Sequence, residues 1–203
     1  MSLIDEQRFT QLVRDVHACT ACDGMAHAHV LGDGNGALDA RVLFVAEAVG
    51  RHGGAVTGVP LTRDVSGRRF AAFLALAGIS RDDAFITNAV LCNPLDALGR
   101  NRPPRSREAA RCRPFLARTL DAVRAPFVVT LGRVSLESLR AIAPHGAVLS
   151  RDVATPVEWQ RRTLVPMYHP GLQSTLHRPQ ALQEDDWRRL GAIVAPAGVL
   201  CPT

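Results

Sequence analysis

The chain has 203 residues, of which 47% are hydrophobic and 21% charged, with a net charge of +5. That is enough apolar material for one domain, residues 1–203, with a buried core, and no apolar run reaches the ~18 residues of a membrane-spanning helix. The positive balance favours a polyanionic partner such as nucleic acid. All 24 basic side chains are arginine, which rules out lysine-amine chemistry such as Schiff-base formation except through the N-terminus.

In chain order, residues 4–18 place Phe9, Leu12, Val13 and Val16 at helical spacing, and the pattern ends at a C-x-x-C pair, Cys19 and Cys22. Met1 to Glu6 lead straight into that helix with no charged-then-apolar leader, so a reducing cytoplasm is the expected location. Residues 32–36 read as a turn-rich loop. Short continuous apolar runs at 41–46, 84–90, 126–131 and 163–168 have the length and composition of buried strands. Helical patterns at 66–78, 106–123, 133–142 and 180–194 alternate with them, while the Pro/Arg-rich stretch 98–107 reads as a surface loop. This alternation predicts an α/β fold, a three-layer α/β/α sandwich around a central four-stranded, mainly parallel sheet. Ligands in such sheets sit at the carboxyl ends of the strands.

Cys19, Cys22, Cys92 and Cys112 make a complete set of soft metal ligands, suited to zinc or to an iron–sulfur cluster. Since 69 residues separate Cys22 from Cys92 and 19 separate Cys92 from Cys112, the fold must assemble the site. Cys201, alone near the C-terminus, reads as a small apolar residue or a free thiol.

Each apolar run ends in polar chemistry. Glu47, Gly50, Arg51, His52 and a flexible Gly53-Gly54 pair follow the first strand, Thr87 and Asn88 end the second, and His169-Pro170 follows the fourth. With parallel strands, a carboxylate, an amide and an imidazole would meet on one rim, the layout of an acid/base and recognition pocket.

The order C-x-x-C, Glu47-Ala48-Val49-Gly50, Thr87-Asn88 ahead of Cys92, Asn101-Arg102-Pro103, Cys112 and Tyr168-His169-Pro170 resembles the iron–sulfur uracil-DNA glycosylases over most of the chain. Glu47 is similar to the acid of that superfamily's fourth family. His52-Gly53, Thr57-Gly58, the Thr62-x-Asp64-x-Ser66-Gly67 segment and Gln173-Ser174-Thr175 look more like the fifth, to which the chain leans.

The resemblance implies that Cys19, Cys22, Cys92 and Cys112 hold a structural [4Fe-4S] cluster, and that Asn88 reads the polar edge of a flipped base with Ala48 and Leu61 beside it. It implies that His169 stabilises the departing base and that Asp64 or Glu47 supplies the carboxylate opposite the sugar, with Asp64 slightly favoured. The segment from His169 through Gly171, Leu172 and Gln173 to Thr175 matches a DNA-intercalation loop. Leu172 or Leu176 would serve as the wedge, and Asn101, Arg102, Arg105 and Arg178 would contact phosphates. The implied activity is monofunctional excision of uracil, with other deaminated bases as further substrates, leaving an abasic site in DNA. The alternative is an iron–sulfur protein of the same fold that binds or traps damaged DNA, and a monomer is the expected state. Several departures stand out: Leu61 replaces a stacking phenylalanine, Val49 replaces the proline that follows the acid in the fourth-family pattern, Gly171 replaces a serine and should loosen its loop, and residues 95–99 look inserted.

Overall fold

The computed structural model describes residues 3–195, so Cys201 lies outside the described residues. The first helical pattern folds as α1 (Leu3–His17), with Phe9, Leu12 and Val16 buried. A two-residue strand, β1 (Met25–Ala26), and a single 3-10 turn lead to β2 (Val42–Ala48). The short helix α2 (Gly54–Thr57) and α3 (Val65–Leu76) connect β2 to β3 (Ala84–Val90). β4 (Asn93–Pro94), α4 (Ser106–Ala122), β5 (Phe127–Leu131) and α5 (Arg133–Arg140) follow. The described chain ends with α6 (Leu149–Asp152), β6 (Val157–Trp159), β7 (Arg162–Met167) and α7 (Gln180–Val194).

β3, β2, β5 and β7 run parallel in that order, in the register Phe44↔Ile86, Phe44↔Val129 and Val129↔Val165. The main sheet has five strands, one more than the sequence predicts, because β6 pairs antiparallel along the free edge of β7. β6 is three residues long and joins β7 through Gln160 and Arg161, whose φ angles are 48° and 59°. Tight hairpin turns of positive φ normally declare themselves with Asn or Gly, and this one does not.

The pleat sorts side chains by period two. Along β2, Val42, Phe44 and Ala46 join the core under α3 and α7, while Leu43 and Val45 join the core under α1, α4 and α5. This is the expected three-layer sandwich. In the first of those cores Trp187 of α7 stacks on Phe44 and Phe73 at centroid distances of 5.8 and 5.3 Å and meets Phe70 edge-on at 5.7 Å. Aromatic pairs of this kind contribute roughly 0.5–1.5 kcal/mol each beyond their buried area. No helix among the described residues is long and apolar enough to cross a membrane.

Candidate functional site

Parallel strands must open their carboxyl ends on a common edge, and there a cleft of about 410 Å³ forms. Glu47 and Ala48 reach it from β2, Asn88 from β3, His169 from just past β7, and Leu61 and Asp64 from the segment before α3. Asn101, Arg102, Gly171, Leu172 and Gln173 line it too, whereas Arg105, Leu176 and Arg178, also singled out from sequence, are absent from the wall.

His169 accepts a hydrogen bond at Nδ1 from the Gly171 N–H at 2.9 Å. The neutral ring therefore carries its proton on Nε2. Burial pushes this imidazole down to about 4, with the Asp64 charge pulling the other way, so the ring is neutral at pH 7. Gly171 has φ −66°, a backbone any residue adopts, so its missing side chain serves close approach: a Cβ would lie 2.9 Å from Nδ1. The looseness expected there is not what the chain uses.

The two acids differ in their commitments. Asp64 caps α3, its Oδ1 accepting from the Gly67 N–H at 2.8 Å. A Cβ on Gly50 or Gly53 would sit 2.5 Å from its Oδ2, so Gly53, one of the pair read as flexible, is close-packed under that carboxylate. Glu47 makes no hydrogen bond to a described residue; burial raises its proton affinity and Arg133 opposes the rise.

On the β3 wall of the cleft, Asn88 is 3% exposed and its Nδ2 has no hydrogen-bond partner among the described residues. Asn93, which sequence reasoning passed over as a neighbour of Cys92, is fully buried and ties the wall together. Its Nδ2 donates to Val49 O at 2.6 Å and to Asn101 Oδ1 at 3.1 Å. Leu61 and Arg63 hold φ angles of 50° and 66°, conformations that cost bulky residues on the order of 1–3 kcal/mol each. A hydroxyl pair, Thr57 to Thr62 at 2.7 Å, and the Thr62 bond to Val59 O at 2.8 Å hold that segment in place.

Two of the three arginines read as phosphate ligands are committed elsewhere. Arg102 donates to both carboxylate oxygens of buried Glu108, at 2.8 and 2.6 Å, and Arg178 to both of buried Asp186, at 2.9 and 2.6 Å. Arg69 was missed by sequence reasoning, as nothing distinguishes it from other surface arginines. Its Nε donates to Pro170 O at 2.7 Å, its Nη1 donates to Gln180 at 3.0 Å, and its guanidinium lies over Phe73. Together with Asp186 it fixes the turn that carries His169 and exposes Leu172 and Leu176.

The four cysteines gather through secondary structure. α1 delivers Cys19 and Cys22, β1 pairs antiparallel with β4 just after Cys92, and Cys112 sits on the buried face of α4 with Leu116 and Leu120. An ion pair from Arg118 to Asp15 at 2.6 Å clamps α4 to α1. Burial, with the neighbouring cysteines adding to it, pushes the Cys92 thiol up to about 11 and the Cys112 thiol up to about 12. Buried sulfurs close enough to disfavour one another's ionisation fit a cationic, sulfur-binding group, which would reverse that penalty. His27 stands beside them, Nδ1 4.0 Å from Cys92 Sγ, and His29 meets Cys19 O at 2.7 Å.

An open parallel sheet whose carboxyl rim joins two acids, an amide and a neutral imidazole, beside a thiol cage, defines an enzyme-like α/β domain of one specific kind. The chain belongs to the uracil DNA glycosylase superfamily, which it matches over residues 34–191. It is 29% identical to a type-4 uracil-DNA glycosylase of Archaeoglobus fulgidus over 90% of this chain and 91% of that protein. It is 30% identical to the type-4 enzyme of Thermotoga maritima over 76% of this chain and 77% of that protein. A type-5 uracil-DNA glycosylase of Pyrobaculum aerophilum is 35% identical over 57% of this chain and 58% of its own length.

Proposed function

We propose that the protein is a monofunctional uracil-DNA glycosylase, which extrudes a uracil nucleotide from DNA, hydrolyses its N-glycosidic bond and leaves an abasic site. The observation that carries this reading is the convergence of Glu47, Asn88 and His169 on one cleft. Cleavage leaves charge on both fragments, so donors are needed at the base and a carboxylate at the sugar. The unpartnered Asn88 amide suits the acceptor-and-donor edge of uracil. A neutral His169 can donate from Nε2 to a base oxygen as that oxygen gains negative charge. Glu47, made more basic by burial, is suited to accept a proton from water and to oppose the positive charge growing on the sugar. Asp64, tied to α3 and acting on His169, then positions rather than reacts. Leu61 contacts the base face without aromatic stacking and forgoes roughly 1–3 kcal/mol.

Leu172 and Leu176, at 58% and 83% exposure on a fixed turn, are suited to wedge the gap left by the base. Cys19, Cys22, Cys92 and Cys112 would hold a [4Fe-4S] cluster, which supplies a covalent tie between distant segments and no chemistry at the base. Every residue named comes from one chain, so a monomer suffices.

A uracil-bearing duplex oligonucleotide tests the reading: strand scission should appear only after alkali, and Glu47→Gln should lower the single-turnover rate more than tenfold. Scission without alkali would overturn monofunctional hydrolysis. No scission at all, or a gel-stable protein–DNA adduct, would favour a protein that binds or traps damaged DNA.

A further inference from the structure

We propose that residues 95–101 form a second DNA-contacting prong, with Leu98 at its tip packing against the duplex on the side of the cleft away from Leu172 and Leu176. The identity of the occupant rests on the glycosylase reading; the shape of the prong does not.

The turn is built, not slack. Asp96 accepts from the Leu98 N–H at 2.9 Å, the Arg100 N–H at 2.8 Å and Arg100 Nε at 2.8 Å. Its own N–H donates to Arg100 O at 2.9 Å, the Gly99 N–H returns to Asp96 O at 3.0 Å, and a bridge from Leu95 to Asn101 closes the base. Gly99 has φ 69°, a left-handed position that glycine fills without strain. With its polar groups turned inward, the loop holds Leu98 out at 72% exposure. An isolated exposed leucine is ordinary, but one presented by so many convergent hydrogen bonds has been given a fixed direction.

The prong is bolted to the cleft. Asn101 Oδ1 accepts from Asn93 Nδ2 and from the Arg51 N–H, both at 3.1 Å, and Arg51 Nη1 donates to Gly99 O. Asn93 and Asn101 line the cleft wall, so the tip cannot move without the wall. Exposed Arg100, Arg105 and Arg107 follow Leu98 in the chain, and the one acid of the turn, Asp96, is paired with Arg100 within it. An apolar tip followed by exposed arginines, with no unpaired acid in its turn, matches stacked bases framed by phosphates, and matches an acidic or apolar protein surface less well.

Topology sets the spacing. The chain reaches the prong from β3 by way of β4 and reaches the Leu172–Leu176 turn from β7, and β3 and β7 lie three strand spacings apart in the sheet, or about 14 Å. That is roughly four base steps at 3.4 Å per step. On this proposal the two prongs meet the duplex on either side of an extruded nucleotide, and a single strand lacks the second half of the stack for Leu98 to meet.

The test uses the full chain with Leu98→Asp and Leu98→Ala, a labelled duplex carrying a non-cleavable 2′-fluoro deoxyuridine, and the same strand unpaired. Leu98→Asp should weaken duplex binding at least fivefold and Leu98→Ala about threefold, with single-strand binding changed less than twofold and the melting curve unchanged. Duplex affinity within twofold of wild type would overturn the prong, as would equal losses on both substrates. A wild-type dimer that Leu98→Asp splits would also overturn it, since the occupant would be a second copy. Binding needs no catalysis, so the readings part cleanly: wild type that binds duplex through Leu98 yet makes no abasic site sinks the glycosylase and keeps the prong.

Discussion

His169 shows how one backbone contact sets a side chain's chemistry. The Gly171 amide holds Nδ1 as an acceptor, and burial keeps the ring from binding a second proton until about pH 4, against 6.5 for an ordinary histidine. Between those values the unfolded chain takes up a proton that the native ring refuses. Stability contributed by this group is therefore fully present above about pH 6.5 and lost as pH falls toward 4. Wild type should lose urea resistance over that window more steeply than His169→Gln, read from unfolding midpoints at pH 7, 5.5 and 4.5; equal slopes would place the ring in solvent. The sequence pointed to His169 and Asn88 by their places after apolar runs. It could not show that Arg102 and Arg178 are held by buried carboxylates, because Glu108 and Asp186 look like any surface acid until the helices that carry them dock.

Among elements, α3 and α7 form the bracket that steadies the catalytic rim. Trp187 inserts between Phe44, Phe70 and Phe73, and Arg69 of α3 reaches both α7 and Pro170. Trp187→Ala should cost about 3–5 kcal/mol by denaturant unfolding, as large aromatic deletions do. It should also reduce activity by disturbing the turn after β7; a loss under 1 kcal/mol would mean that α7 docks without it. Strands and long helices were legible because their apolar periods are unbroken, and even Pro114 inside α4 did not disguise that helix. β6 was not legible, since three residues cannot show a period and its turn residues, Gln160 and Arg161, carry no turn signal.

At the scale of the whole molecule, the thiol cage joins α1 to the β3–β4 connection and to α4, elements far apart in sequence. Burial raises the proton affinities of the Cys92 and Cys112 thiols, so filling the cage with a metal should release their protons and grow stronger with rising pH. Removing the metal with a chelator under reducing conditions should lower Tm by at least about 5 °C and bleach any visible absorbance. An unchanged Tm would leave the cage without a structural part.

The sequence by itself determined the layer order of the fold and singled out four cysteines that the fold brings near one another, together with the strand ends that line the cleft, because those follow from local period and from residue type. Only the tertiary structure decided which charged groups remain available. One oxygen of Asp64 is taken by a helix start, Arg102 and Arg178 are held by buried partners and Asp96 by its own turn, whereas Glu47 lines the cleft with no helix to cap. Availability depends on neighbours brought from elsewhere in the chain, and a linear pattern carries no record of them.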